Sequence, residues 1–113
     1  MKIIISGGRQ SKSSLSYFNK EWSNGVSGII FEYDTNSKKI EEKFTYETPE
    51  RHRAEKDYSI SFKSGSIFNN KLYVTTLTEI LIISLPNYKL IDKISLNLFN
   101  DLHHVVYDSN FLY

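Results

Sequence analysis

Two short segments of this 113-residue chain hold most of the side chains that could do chemistry. Asp101, His103 and His104, in FNDLHHVVY, form the densest polar cluster. On an extended segment neighbouring side chains point to opposite faces, so only one of the two histidines can share a surface with Asp101. A neutral imidazole there could ligate a metal or shuttle a proton, or it could simply hydrogen-bond a loop carbonyl. One histidine and one carboxylate are too few for a metal site unless other residues complete it, so no metal and no cofactor is expected. The second segment is Arg51-His52-Arg53, in PERHRAEKD. A guanidinium presents a rigid donor fork that could grip a carboxylate or phosphate. Glu47, Glu50, Glu55 and Asp57 surround it, which also fits a solvated loop of mixed charge. Asp101, His103, His104, Arg51 and Arg53 are therefore the candidate ligand-binding residues.

Other suggestive motifs fail on their chemistry. Ser6-Gly7-Gly8-Arg9 lacks the helix and the following Lys-Ser or Lys-Thr of a phosphate loop, and reads as turn glycines after a strand. The serine-rich run SKSSLS (residues 11–16) holds no nucleophile motif, and Gly25-Val26-Ser27-Gly28 has the wrong spacing for one. Tyr17, Phe18 and Trp22 could contact a sugar or a partner, but suit equally well a loop pinned to the body.

Composition narrows the class. Hydrophobic residues make up 40% and aromatics 14%, enough for one packed domain and too many for a disordered tail. Fourteen Lys and Arg against thirteen Asp and Glu leave the chain near neutral, with no long basic stripe. Nucleic acid and an anionic membrane are therefore not expected as partners. The absence of cysteine excludes disulfides, thiolate metal sites and cysteine nucleophiles. The longest apolar runs, residues 3–5 and 80–83, are far short of the roughly twenty residues of a spanning helix. The apolar core of the N-terminus is too short for a secretory signal. A cytoplasmic location is the expectation.

The elements that would position these residues are short strands. Residues 2–6 (KIIIS) read as a strand stopped by Gly7-Gly8, and residues 9–25 as a long polar loop. Residues 26–34 and 39–47 form the next two strands across TNSK, whose Asn and Ser suit a turn; the second is charged like a solvated edge. A charged loop at 48–57 leads to the alternating YSISF (58–62). Strands follow at 66–68, 71–76, 79–85, 88–96 and 102–107, with turns at Asn69-Asn70, Pro86-Asn87 and 108–110, and one more strand starts at 111–113. No segment of eleven or more residues has a helical period. Leu72, Val74, Ile80, Ile82, Ile91 and Ile94 are expected in the core.

Parts of this pattern recur. GIIFEYDTNSKKIEEKF (28–44) repeats the second half of GSIFNNKLYVTTLTEILIISLPNYKLIDKISL (65–96), and HVVYDSNFLY (104–113) repeats its first half. Leu72-Tyr73 matches Leu112-Tyr113 at a spacing of 40, and Asn36 and Ile40 match Asn87 and Ile91 at a spacing of 51. Four strands per roughly 40–45 residues is the period of a propeller blade. With Leu72-Tyr73-Val74-Thr75, Ile80 to Ile83, and Lys89-Leu90-Ile91-Asp92-Lys93-Ile94, the unit resembles a blade of YVTN or NHL-like β-propellers. Residues 99–113 resemble the inner strand of a following blade. The WD40 and kelch signatures are missing.

That resemblance implies an all-β chain of antiparallel four-stranded meanders forming an incomplete propeller. Blade 1 would span about 1–47, blade 2 about 58–96, and a third blade would start at about 101–113. Asp101 and one histidine would face a polar channel. The implied function is a ligand- or protein-binding module without visible catalytic machinery. A propeller enzyme, lyase or hydrolase, with a channel-bound metal on His103 or His104 is the alternative, and a shortened, self-associating structural protein is a third reading. Open strand edges imply self-association or another protein as the partner.

Overall fold

The computed structural model describes residues 1–10, 25–54 and 60–113. The expected aromatic loop with Tyr17, Phe18 and Trp22, the serine-rich run, and Tyr58 lie outside the described residues. The chain is all-β. Strands β1 (Lys2–Gln10), β2 (Gly25–Asp34) and β3 (Lys39–Tyr46) form a three-stranded antiparallel sheet, sheet I, in that order. After a 3₁₀ turn at Glu50–His52, strands β4 (Gly65–Phe68), β5 (Lys71–Thr75), β6 (Ile80–Ser84) and β7 (Lys89–Ile94) form a four-stranded meander, sheet II. Both are blade-like, and they close no barrel.

Turn chemistry explains the hairpins. Asn69 and Asn70 both adopt positive φ, 46° and 55°, the pair of left-handed residues that matches the twist of a two-residue hairpin. Between β2 and β3 the side chain that organises the turn is that of Asp34, whose Oδ1 accepts from the backbone N–H groups of Asn36 (2.8 Å) and Ser37 (3.3 Å). Those bonds hold its carboxyl below the usual range. The two hairpins close at Asp34↔Lys39 and Ser84↔Lys89, 50 positions apart, so Asn36 corresponds to Pro86 rather than to Asn87.

Three local expectations are corrected. Gly7-Gly8 does not end β1; the strand runs through to Gln10 because residues 60–62 cross sheet I at its glycines. Phe62 N–H donates to Gly7 O (3.0 Å) and Ile60 N–H to Gly25 O (2.7 Å). A Cβ on Gly8 would lie 2.6 Å from Ser61 Cβ, and one on Gly28 would lie 2.8 Å from the Phe62 ring. Ile60 makes a single parallel bridge to Val26, and residues 60–62 form no ladder. Residues 102–107 form no ladder either; Tyr107 makes one bridge to Leu112.

Sheet II is covered on both faces. Leu72, Val74, Leu81 and Ile83 pack with Ile30, Phe62 and Tyr88 in the core between the sheets. Tyr73 and Ile80 pack on the opposite face with Val105, flanked by Ile82, Ile94, Phe99, Leu102 and Tyr107. Ile91, expected in the core, is 51% exposed. It is the extra residue of a β-bulge, since Ile83 pairs with Leu90 and Ile82 with Asp92. Sheet I leaves Ile3, Ile5 and Ile40 exposed on its outward face. Tyr33 and Phe31, on that face, hold the second and fourth pairs from their hairpin turn, as Ile83 and Leu81 do in sheet II.

Candidate functional site

The corner between β5 and β6 builds the site. Thr76 Oγ1 accepts from the backbone N–H groups of Thr78 (3.3 Å) and Glu79 (3.0 Å), and Thr76 N–H donates to Glu79 O (2.9 Å). This local hydroxyl turn fixes the direction in which Glu79 leaves the corner. Glu79 is fully buried, at 0% exposure. A buried carboxylate must find donors, and three elements supply them. From the end of β3, Tyr46 donates its hydroxyl to Oε2 (2.9 Å); from the 3₁₀ turn, His52 Nδ1 lies 2.9 Å from Oε1; from β7, Lys93 Nζ lies 3.5 Å from Oε1. Lys93 also donates to the Tyr46 oxygen (3.3 Å). Burial, and then the bond to Glu79 and its charge, push the Tyr46 phenol well above its ordinary value, so the phenol stays a donor.

The same contacts anchor the cationic loop. Thr78 Oγ1 donates to His52 O (2.6 Å), and Arg53 Nε donates to Thr48 O (2.9 Å). Held this way, Arg51, His52 and Arg53 form one wall of a cleft of about 780 Å³. Leu77 and Thr78 lie along it, and Ser95, Asn97, Phe99, Asn100 and Asp101 complete it. The second wall is tied down by Leu102 N–H on Leu77 O (3.0 Å) and Ser95 Oγ on Thr78 O (3.1 Å).

Of the residues singled out from sequence, Arg51, Arg53 and Asp101 line this one cleft although fifty positions separate the loops. His103 and His104 do not line it. His103 Nε2 lies 3.2 Å from Asp101 Oδ1, with both side chains largely in solvent at 72% and 66% exposure. His104 Nδ1 bonds the Ser64 hydroxyl, and His103 O accepts from Ser64 N–H (3.2 Å). Among the described residues no cluster of three or more His, Cys, Asp or Glu could hold a metal ion.

Sequence reasoning passed over Glu79, Tyr46 and Lys93, and named His52 only as the middle of a basic triplet. The signal was one acidic residue heading an otherwise apolar strand, EILII. Comparison with family models, with curated proteins and with solved structures yields no match to this chain. Among the described residues no helix is long and apolar enough to cross a membrane.

Proposed function

We propose that the chain is a β-propeller-type binding module whose cleft takes a small hydroxylated acid. The observation that carries this reading is the pairing of Arg51 and Arg53 with Asp101, Asn97 and Asn100 across one cleft. Its volume is within the range of small-molecule sites, roughly 300–1,000 Å³. Guanidinium forks suit a carboxylate or phosphate oxygen pair, while Asp101 and the two amides suit hydroxyl groups on the same ligand. Phe99 offers an apolar surface to the carbon skeleton. These are groups that hold and orient a ligand, so binding is the reading this set favours. Titration calorimetry with glucuronate, glucose 6-phosphate and neutral glucose tests it. Saturable binding of at least one acid, weakened tenfold or more in an Arg51→Ala/Arg53→Ala double variant, is the expected result. Absence of binding by either acid at millimolar concentration, or equal binding of glucose, would overturn it.

One observation favours self-association as a second reading. The outward face of sheet I carries Tyr33 and Phe31 at the hairpin positions that Ile83 and Leu81 use, in sheet II, to bury themselves against sheet I. A second copy covering that face would bury Ile3 and Ile5. Sedimentation velocity at micromolar concentration should show a dimer or larger species that Ile5→Glu reverts to monomer; a wild-type monomer removes this reading.

A further inference from the structure

The Glu79–His52 pair lies directly behind the cleft, and the acid-binding reading leaves it without a role. His52 lines the cleft, and its side chain is 24% exposed. Its Nδ1 is taken by Glu79, which leaves Nε2 as the ring nitrogen that a ligand could meet. The other partners of Glu79, the Tyr46 hydroxyl and the Lys93 ammonium, are donors, so the carboxylate is the acceptor of this network and Nδ1–H donates to it. A neutral His52 is thereby held as the Nδ1–H tautomer. In that tautomer Nε2 carries a lone pair, which an acid oxygen avoids. Taking one proton converts the same atom into a charged donor.

We propose that ligand binding in this cleft is coupled to proton uptake by His52, whose Nε2 is the third donor to the bound acid group after Arg51 and Arg53. This rests on the acid-binding reading above and adds the condition under which the site is complete. The charges facing His52 from each neighbouring element support it. Glu79 at the head of β6 and Lys93 on β7 cancel, and Tyr46 on β3 is neutral. Arg51 and Arg53 against Asp101 leave one positive charge in the cleft, and a protonated His52 makes two. A carboxylate or phosphate thus meets a better match to its charge after the proton is bound.

Glucuronate is the primary probe, because its carboxylate stays ionised between about pH 5 and 8, where histidine titrates. Calorimetry in two buffers of different ionisation heat should show net proton uptake on binding. Affinity should fall about tenfold from the acidic to the neutral end of that range. In His52→Gln, binding through the two arginines should persist, weaker and with the same affinity at both ends. Should only glucose 6-phosphate bind, the difference between wild type and His52→Gln cancels the proton that the ligand itself takes, and phosphate is then the recognised group. A ring-nitrogen NMR spectrum of the wild type, with and without ligand, reads the His52 proton directly and does not depend on the variant folding. Binding with a flat pH profile and no proton uptake overturns the coupling and leaves the binding reading standing. A pH profile unchanged in His52→Gln does the same. No acid binding at any pH overturns the binding reading itself.

Discussion

Removing one oxygen atom, in Tyr46→Phe, probes the buried network without disturbing its packing. The ring stays in a stack with Phe44 and Phe62, at centroid distances of 6.4 and 6.3 Å, so the apolar burial is unchanged. What is lost is a 2.9 Å bond to a carboxylate of 0% exposure. A hydrogen bond to a charged group is worth about 1.5–3 kcal/mol, and leaving a buried acceptor short of a donor puts the cost toward the upper end. Lys93 opposes this. Its ammonium, 3.5 Å from Oε1 and 30% exposed, can close on the carboxylate and recover part of the loss. A net destabilisation of about 2 kcal/mol is therefore expected, which for a domain of this size lowers the melting temperature by about 8 °C. Urea unfolding should show a lower midpoint with an unchanged slope. In a Glu79→Gln background the same substitution should cost at least about 1 kcal/mol less, the coupling expected of groups in one network. A loss below about 0.5 kcal/mol in the wild-type background, the range of an ordinary surface change, would refute the claim that Glu79 depends on this donor.

A second tyrosine gives the alkaline limit. Tyr88 donates to Glu32 Oε2 (2.8 Å), while Lys2 Nζ contacts Oε1 of the same carboxylate (2.7 Å), and burial followed by the Tyr88 bond pushes its phenol well above the ordinary value, as at Tyr46. The unfolded chain loses these protons first, so stability is full below about pH 10 and falls as pH rises beyond it. Thermal melts across that limit should show the decline, shallower in Tyr46→Phe and Tyr88→Phe. Two glycine substitutions test the packing geometry. A Cβ on Gly65 would lie 1.9 Å from Tyr73 O, so Gly65→Ala must prise β4 from β5, at a cost of about 3 kcal/mol. Gly7 has nothing within 4 Å of such a Cβ, and Gly7→Ala should stay within about 0.5 kcal/mol by denaturant unfolding.

The fold was legible where local chemistry decides. Asn69-Asn70 can hardly be anything but a tight hairpin turn, and the strands on either side follow from β-branched residues between such turns. It was not legible where a distant segment decides. Gly7-Gly8 carries the sequence signature of a turn, yet the strand runs on through it, and it is Gly8, with Gly28 on β2, that leaves room for residues 60–62 to cross sheet I. Ile91 has the composition of a core residue, but one extra residue in β7 shifts the alternation and turns it out to solvent. Bulges leave no mark in hydrophobic patterning, because either register of KLIDKI looks equally plausible.

The candidate site shows the same division. Arg51, Arg53 and Asp101 were visible as residue types, while their convergence on one cleft depends on the 3₁₀ turn and on bonds from residues 77 and 78. Glu79 was hidden by its surroundings, because an apolar strand reads as scaffold. Yet a charge heading such a strand raises a physical question that the sequence itself poses. Burying a carboxylate with its partners yields little net stability compared with a well-packed apolar residue of similar volume. Stability is therefore a poor reason for glutamate at this corner, where leucine would fill the space. A carboxylate can do one thing that leucine cannot: it can hold by Nδ1 a histidine that lines the cleft. The network costs desolvation at Glu79 and fixes an imidazole beside two arginines. On the proposed acid-binding reading that arrangement has a use, which leucine at the same corner would not supply.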